Sequence, residues 1–261
     1  MYKNNAISIY QPTTSEDNTK KNSSLSQRFG FTTVTDRPIA IPYLTYSDNG
    51  LGLYVLADKN AKSIETLLHI DFVGGKNGYR YAKDCTIKQA IARAVGIKSG
   101  FRPTIFDATA GLGGDAFVLA CLGSTLTLCE RSLVLFCLLE DALNRAKNDE
   151  YLQEIVTEKM TLVHGNSADI LQKSDSYYHT VYMDPMYPHK KKAALNKKEM
   201  RVIRSVVGDD HDSEQLLITA LDVVENRVVV KRPKGAPYIM DKKPTHEILM
   251  KNSRFDVYLK K

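Results

Sequence analysis

The sequence predicts an α/β fold: a mostly parallel sheet with helices on both faces, preceded by a small N-terminal α/β cap. Three observations carry this. Short apolar segments alternate with longer amphipathic ones from Thr104 to Lys231, the pattern of repeated strand–helix units. A glycine-rich turn, Gly111-Leu112-Gly113-Gly114, stands between the first of these strands and a helix. Acidic residues close several of the strands, at Asp107, Glu130 and Asp184.

Taken in order, Ser15 to Ser26 is rich in Ser, Asn, Thr and Lys and reads as a surface loop. Leu51–Leu56 and Leu67–Val73 read as strands, the second broken by Gly74-Gly75. Residues 1–80 are assigned to the cap and 81–261 to the main domain. A helix opens near Asp84, with Thr86 and Gln89 spaced as a capping box, and Ile87, Ile91, Ala94 and Val95 recur at helical spacing. Gly96 or Gly100 closes it. Strands are expected at Thr104–Asp107, Thr125–Glu130, Met160–His164, Thr180–Asp184, Arg227–Lys231 and Arg254–Leu259, with helices at Asp115–Leu122 and Leu133–Lys147.

The chain has 261 residues, room for one large domain or one domain with an appendage. No apolar run approaches the ~20 residues of a membrane-spanning helix, and Met1 to Lys21 has no apolar core of a secretory signal. A cytoplasmic protein with no membrane partner is expected. Cys85, Cys121, Cys129 and Cys137 form no Cys-x-x-Cys pair and have no histidine at finger-like spacing, so they are expected to be buried and reduced, with no metal site. The net charge of +6 permits an anionic partner.

Asp107-Ala108-Thr109-Ala110-Gly111-Leu112-Gly113-Gly114-Asp115 lies where open α/β sheets bind ligands. Its glycines let backbone approach a ligand closely. Glu130 ends the next strand, about 20 residues on, where a carboxylate can accept both hydroxyls of a ribose. A dinucleotide would also fit the glycine spacing, with Ala116 as the sixth residue from Gly111. Three features favour S-adenosylmethionine: Asp107 ahead of the glycines, Asn166-Ser167 after the third strand, and Asp184-Pro185 after the fourth.

Asp184-Pro185-Met186-Tyr187 follows the apolar run Thr180–Met183. An exocyclic base amine is a poor nucleophile, because its lone pair is delocalised into the ring. Asp184 and the Pro185 carbonyl can each accept one of its N–H groups and favour a more tetrahedral nitrogen. Tyr187 can stack the ring. Asp184, Pro185 and Tyr187 are therefore the candidate catalytic residues. Directly downstream, Lys190, Lys191, Lys192, Lys197, Lys198, Arg201 and Arg204 crowd one segment, suited to phosphate contact. Lys231 and Arg232, at the end of the next strand, are expected to extend this positive rim.

The stretches Asp107–Ala120, Asp184–Lys192, Lys197–Arg201 and Val229–Pro233 together resemble the bacterial small-subunit ribosomal RNA methyltransferase J family. Phe72–Gly75 and Ala94–Lys98 extend the match, so the resemblance covers about residues 50–261. It implies a class I, Rossmann-like S-adenosylmethionine-dependent methyltransferase acting on the 2-amino group of a guanosine in 16S ribosomal RNA, with small-subunit rRNA or the 30S subunit as partner. It places donor contacts on Gly114, Asp115, Glu130, Arg131, Asn166, Ser167 and Asp184. Gly114 stands where the family commonly has Arg, and Asn166 where it commonly has Ser. Met186, where many amino-methylating enzymes carry a second proline, also leans toward this family. Two other acceptors compete with guanine, adenine N6 and a protein glutamine. A non-catalytic RNA-binding assembly factor would keep the same fold.

Overall fold

The computed structural model describes residues 7–12, 15–39, 41–55, 65–74, 86–174, 177–186 and 212–260. The chain divides into two compact units. One takes the described residues up to Asp71 together with Ser132–Arg145; the other takes Phe72–Arg131 and the described residues of 146–188 and 209–261. The division thus falls at Asp71, and one internal helix groups with the N-terminal strands.

The N-terminal unit contains β1 (Ser8–Tyr10), α1 (Glu16–Phe29), β2 (Thr33–Val34), β3 (Tyr43–Ser47), β4 (Gly50–Val55) and β5 (Glu65–His69). The strands form a sheet in the order β2-β1-β3-β4-β5. Helix α1 replaces the loop expected over Ser15–Ser26. Glu16 and Asp17 sit in its first turn, Lys20 and Lys21 pair with them one turn on, and Gly30 closes it with φ 72°. The helix docks through Asn22, which is fully buried. The Asn22 amide donates to Tyr10 O and Thr45 Oγ1, both at 3.4 Å, and its Oδ1 accepts from the Tyr46 N–H at 3.1 Å. A polar anchor leaves almost no apolar period to find in the sequence.

The helix Leu133–Ala146 is buried along Val134–Leu139 and at Ala142, Leu143 and Ala146, and carries its polar residues Glu140, Asp141, Asn144 and Arg145 in its C-terminal half. Within the N-terminal unit, Glu140 takes both Arg28 NH groups at 2.7 and 2.8 Å. Asp141 accepts from the Leu51 N–H at 3.0 Å and from Arg145 Nε at 2.9 Å.

The larger unit contains α2 (Ala90–Val95), β6 (Thr104–Asp107), α3 (Gly114–Cys121), β7 (Thr125–Glu130), α5 (Gln153–Lys159), β8 (Met160–His164), α6 (Ser167–Lys173), β9 (Thr180–Met183), α7 (Ser213–Val223), β10 (Arg227–Pro233), β11 (His246–Leu249) and β12 (Ser253–Leu259); α4, the Leu133–Ala146 helix that groups with the N-terminal strands, follows β7 in the chain. Its sheet runs β11-β12-β10-β9-β6-β7-β8. β12 is antiparallel to both β10 and β11; the pairs β10–β9, β9–β6, β6–β7 and β7–β8 are parallel. β11 has no counterpart among the expected strands. The expected capping box does not form: Gln89 N–H donates to Thr86 O at 3.0 Å in a turn, and the helix starts at Ala90. Gly96, with φ 92°, ends it as expected.

Phe106, Val181, Met183, Val228 and Val230 from the sheet pack with Leu171 of α6 and Leu216, Leu217 and Ala220 of α7 in one buried cluster. Each such aliphatic or aromatic side chain contributes about 1.5–3 kcal/mol on burial, so this cluster holds the central strands in place. Burial raises the Cys129 thiol to about 11 and that of Cys137 to about 12, so both behave as small apolar groups. Cys121 is half-buried, and Cys85 lies outside the described residues. No helix among the described residues is long and apolar enough to cross a membrane.

Candidate active site

From β6 the chain proceeds to β7 and β8 on one side, then returns to β9 and β10 on the other. The crevice between β6 and β9 is therefore the point where the strand order reverses, and ligands of such sheets bind outside the carboxyl ends of the strands there. Asp107 ends β6 and Asp184 follows β9, with Asp107 in register with Tyr182. The two expected halves of the site meet at this crevice.

On the donor side, Asp107 is buried and its Oδ1 accepts the Thr109 N–H at 3.1 Å. Burial pushes its carboxyl up to about 8; the Thr109 N–H opposes this, while Asp115, Asp184 and Glu130 add to it. Glu130, also buried, ends β7 beside it, and its Oε2 accepts the Gly111 N–H at 2.8 Å. Gly111 and Gly113 have φ of 55° and 73°. A Cβ on Gly111 would meet only Thr109 O, at 3.7 Å, so the backbone angle and not crowding requires glycine. Gly113 caps α3 without a side chain, leaving the first turn's N–H groups uncapped.

The third strand reaches the same edge through two different roles. Ser167 is buried and its Oγ donates to Ala108 O at 2.6 Å, tying the turn after β8 to the turn after β6. Asn166 caps α6, its Oδ1 accepting from Ala168 N at 2.9 Å and Asp169 N at 3.3 Å. Serine and asparagine are both strong caps, which explains why Asn is accommodated at this position. Arg131 is engaged by a carboxylate. Its guanidinium donates to both Asp212 oxygens at 2.9 Å.

On the acceptor side, the Asp184 N–H donates to Thr109 Oγ1 at 2.6 Å, so the loop after β9 is fastened to the donor turn. Pro185 is buried, while the Asp184 side chain is exposed. Lys231 Nζ lies 3.0 Å from Asp184 Oδ2 and 2.7 Å from Asp115 Oδ2, and the buried Tyr182 hydroxyl donates to that same Asp115 oxygen at 2.5 Å. Burial works against the Lys231 charge, but Asp184 and Asp115 outweigh it and hold the ammonium well above its ordinary value. Tyr182 is raised well above the usual phenol range by burial, with Asp115 and Asp184 adding to it.

The expected positive rim at Lys231 and Arg232 is corrected by this geometry. Successive residues of a strand face opposite sides of the sheet. Lys231 turns to the two carboxylates, and Arg232 is buried, donating to Pro237 O at 2.8 Å. Sequence reasoning missed Thr109 and Tyr182. Thr109 looks like a small turn residue and Tyr182 like one more apolar strand position. Tyr187, Lys190, Lys191, Lys192, Lys197, Lys198, Arg201 and Arg204 lie outside the described residues.

A cavity of about 420 Å³ opens at the opposite, amino-terminal edge of the sheet, lined by Gly96, Lys98, Phe101, His179 and Arg227 among others. It belongs to the strand edge that does not bind ligands in open α/β sheets, and it shares no residue with the crevice.

The family model for SAM-dependent methyltransferases matches residues 24–260. A ribosomal RNA small subunit methyltransferase J from Desulfotalea psychrophila is 62% identical over 216 residues, 83% of this chain and 82% of the relative. The protein of the same name from Pseudoalteromonas translucida is 43% identical over 236 residues, 90% of this chain and 92% of the relative. The crystal structure of a SAM-dependent methyltransferase from Neisseria gonorrhoeae superposes with a TM-score of 0.73 at 30% identity, covering 97% of this chain and 95% of that one.

Proposed function

The chain belongs to the ribosomal RNA small subunit methyltransferase J family of S-adenosylmethionine-dependent enzymes, and we propose that it methylates the exocyclic 2-amino group of a guanosine in small-subunit ribosomal RNA. The observation that carries the reading is the fastening of Asp184-Pro185 to the glycine turn through the 2.6 Å bond from the Asp184 N–H to Thr109 Oγ1. It sets an acceptor-gripping carboxylate beside the donor crevice. Guanine is preferred to other amines on the family resemblance of this loop and not on its physics.

The residues of the crevice fit the donor. Carboxylates at Glu130, Asp115 and Asp184, with the buried carboxyl of Asp107, suit a ligand that carries a sulfonium, an ammonium and a ribose diol. The positive-φ glycines and the uncapped first turn of α3 leave backbone groups accessible to it. A carboxylate has about four acceptor positions, so Glu130 can serve both Gly111 and a hydroxyl. S-adenosylmethionine supplies an electrophilic methyl group when bound.

The protein's own part is positioning and charge. Asp184 accepts one amino hydrogen and the Pro185 carbonyl the other, which turns the nitrogen lone pair out of conjugation. Tyr187 supplies the stacking face, worth roughly 1–3 kcal/mol per base, and the lysines from Lys190 onward meet phosphates. The amine nitrogen becomes cationic as it is alkylated, and its proton leaves to Asp184 or to water.

Incubation with labelled donor and 30S particles or free 16S rRNA, then nucleoside mass spectrometry, tests this. The expected product is N2-methylguanosine; label in another nucleoside overturns the guanine assignment. Asp184→Ala is expected to abolish transfer while donor binding stays measurable by calorimetry.

A further inference from the structure

Lys231 was expected to contact phosphate, yet its ammonium sits between Asp184 of the acceptor loop and Asp115 of the donor helix, 3.0 and 2.7 Å away. Its side chain is only 29% exposed. We propose that Lys231 is a positioning residue for methyl transfer: it holds the Asp184 carboxylate ionised and aimed at the acceptor amine, and it locks that carboxylate to the donor helix through Asp115. The proposal rests on the assignment of Asp184 to the acceptor amine.

The charges around Asp184 show why a cation is needed there. Asp107 at the end of β6, Asp115 in the first turn of α3 and the Tyr182 hydroxyl on β9 all surround it, and among the described residues Lys231 on β10 places a cation between them. The Asp184 and Asp115 carboxylates repel in one crevice beside the buried Asp107 carboxyl and the Tyr182 hydroxyl, and the acceptor carboxylate would take up a proton to relieve that repulsion. A protonated Asp184 would offer a donor where the amine needs an acceptor. Lys231 offsets the repulsion at the correct oxygen. Because it also holds Asp115, which the Tyr182 hydroxyl fixes from the other side, the acceptor carboxylate is referenced to the helix that opens on the donor.

The arrangement predicts a signature that a phosphate contact would not give. In Lys231→Met, kcat falls about 10²-fold, the loss typical of a misplaced reacting group. The acid limb of its kcat–pH profile moves up by about 1–3 pH units, the effect of losing an adjacent opposite charge. KM for 30S particles and its salt dependence stay near wild type. Donor affinity is retained or increased, because the crevice becomes more negative toward a cationic ligand. Lys231→Arg keeps the charge and is expected to keep the acid limb at the wild-type pH, even where its longer reach lowers kcat.

Two results overturn the proposal. One is a raised KM for 30S with a shallower salt slope and an unchanged kcat profile in Lys231→Met, which is what a phosphate contact gives. The other is an acid limb displaced from wild type by about 1–3 pH units in Lys231→Arg, which keeps the positive charge. Since the Arg variant is tested independently, a Met variant that fails to fold leaves the second outcome decisive. Asp184→Asn, assayed in parallel, separates the two readings. Full transfer in Asp184→Asn sinks the assignment of Asp184 itself. Loss of transfer there, with no pH displacement in Lys231→Met, sinks only the role of Lys231.

Discussion

The carboxylate of Glu130 accepts the N–H of Gly111 across 2.8 Å, joining the end of β7 to the glycine turn that follows β6. The residue expected to face a ribose therefore also shapes the glycine loop proposed to hold the donor. A buried carboxylate that fixes a turn with φ of 55° does so because the left-handed backbone presents its N–H toward the neighbouring strand end.

Loss of this carboxylate removes a charge-assisted bond to Gly111 and the proposed ribose contact together. Glu130→Ala is expected to weaken donor binding by about 10–100-fold, the equivalent of one or two charged hydrogen bonds. Arg131→Ala, one residue on, is expected to stay within about 3-fold, because its guanidinium is engaged by Asp212 in an exposed pair worth under about 1 kcal/mol. Isothermal titration with S-adenosylmethionine checks both. Equal losses would show that Arg131 reaches the donor after all.

Asp107 has a carboxyl raised from 3.8 to about 8 in the fold, chiefly by burial. In the unfolded chain it ionises near 3.8, so between these values folding takes up a proton. Its contribution to stability is complete below about pH 4 and is lost progressively as pH rises through about 8. Asp107→Asn imitates the protonated acid and still accepts the Thr109 N–H. The melting temperature of this variant is expected to fall less than that of wild type between pH 5 and 9. Parallel pH dependence in the two proteins would show that Asp107 is already ionised in the fold at neutral pH.

Thr109 joins the two halves of the site, its Oγ1 accepting the Asp184 N–H at 2.6 Å. Thr109→Val keeps the shape and removes the acceptor. Leaving that N–H unpaired costs about 1–3 kcal/mol, and the cost falls on the acceptor loop. Steady-state kinetics should show kcat down by about 10-fold or more with donor affinity changed little, and Thr109→Ser restoring activity. A loss confined to donor affinity would place the hydroxyl's role on the donor side instead.

The main sheet was legible because parallel central strands are buried on both faces and appear as continuous apolar runs. Thr104–Asp107, Thr125–Glu130, Met160–His164 and Thr180–Met183 all formed within a residue of expectation. The acidic ends of the first, second and fourth of these, Asp107, Glu130 and Asp184, were legible for the same reason: a carboxylate closing such a run stands at the carboxyl edge of the sheet. Helix α1 was not legible, since it docks through Asn22 and shows no apolar stripe. β11 was missed because its burial is slight along His246–Leu249 and, among the described residues, it pairs only with β12.

The sequence by itself determined the order of strands and helices, the glycine turn, and which carboxylates end up at one edge of the sheet. Those features follow from local periodicity and from φ values that only glycine adopts readily. Tertiary structure alone decided which groups bind one another across that edge. Lys231, read as a phosphate contact, became the partner of Asp115 and Asp184, and Thr109 became the clasp of the Asp184 loop. The pleat of β10 sends Lys231 and Arg232 to opposite faces, and the reversal of strand order between β6 and β9 brings together residues about 75 positions apart in the chain.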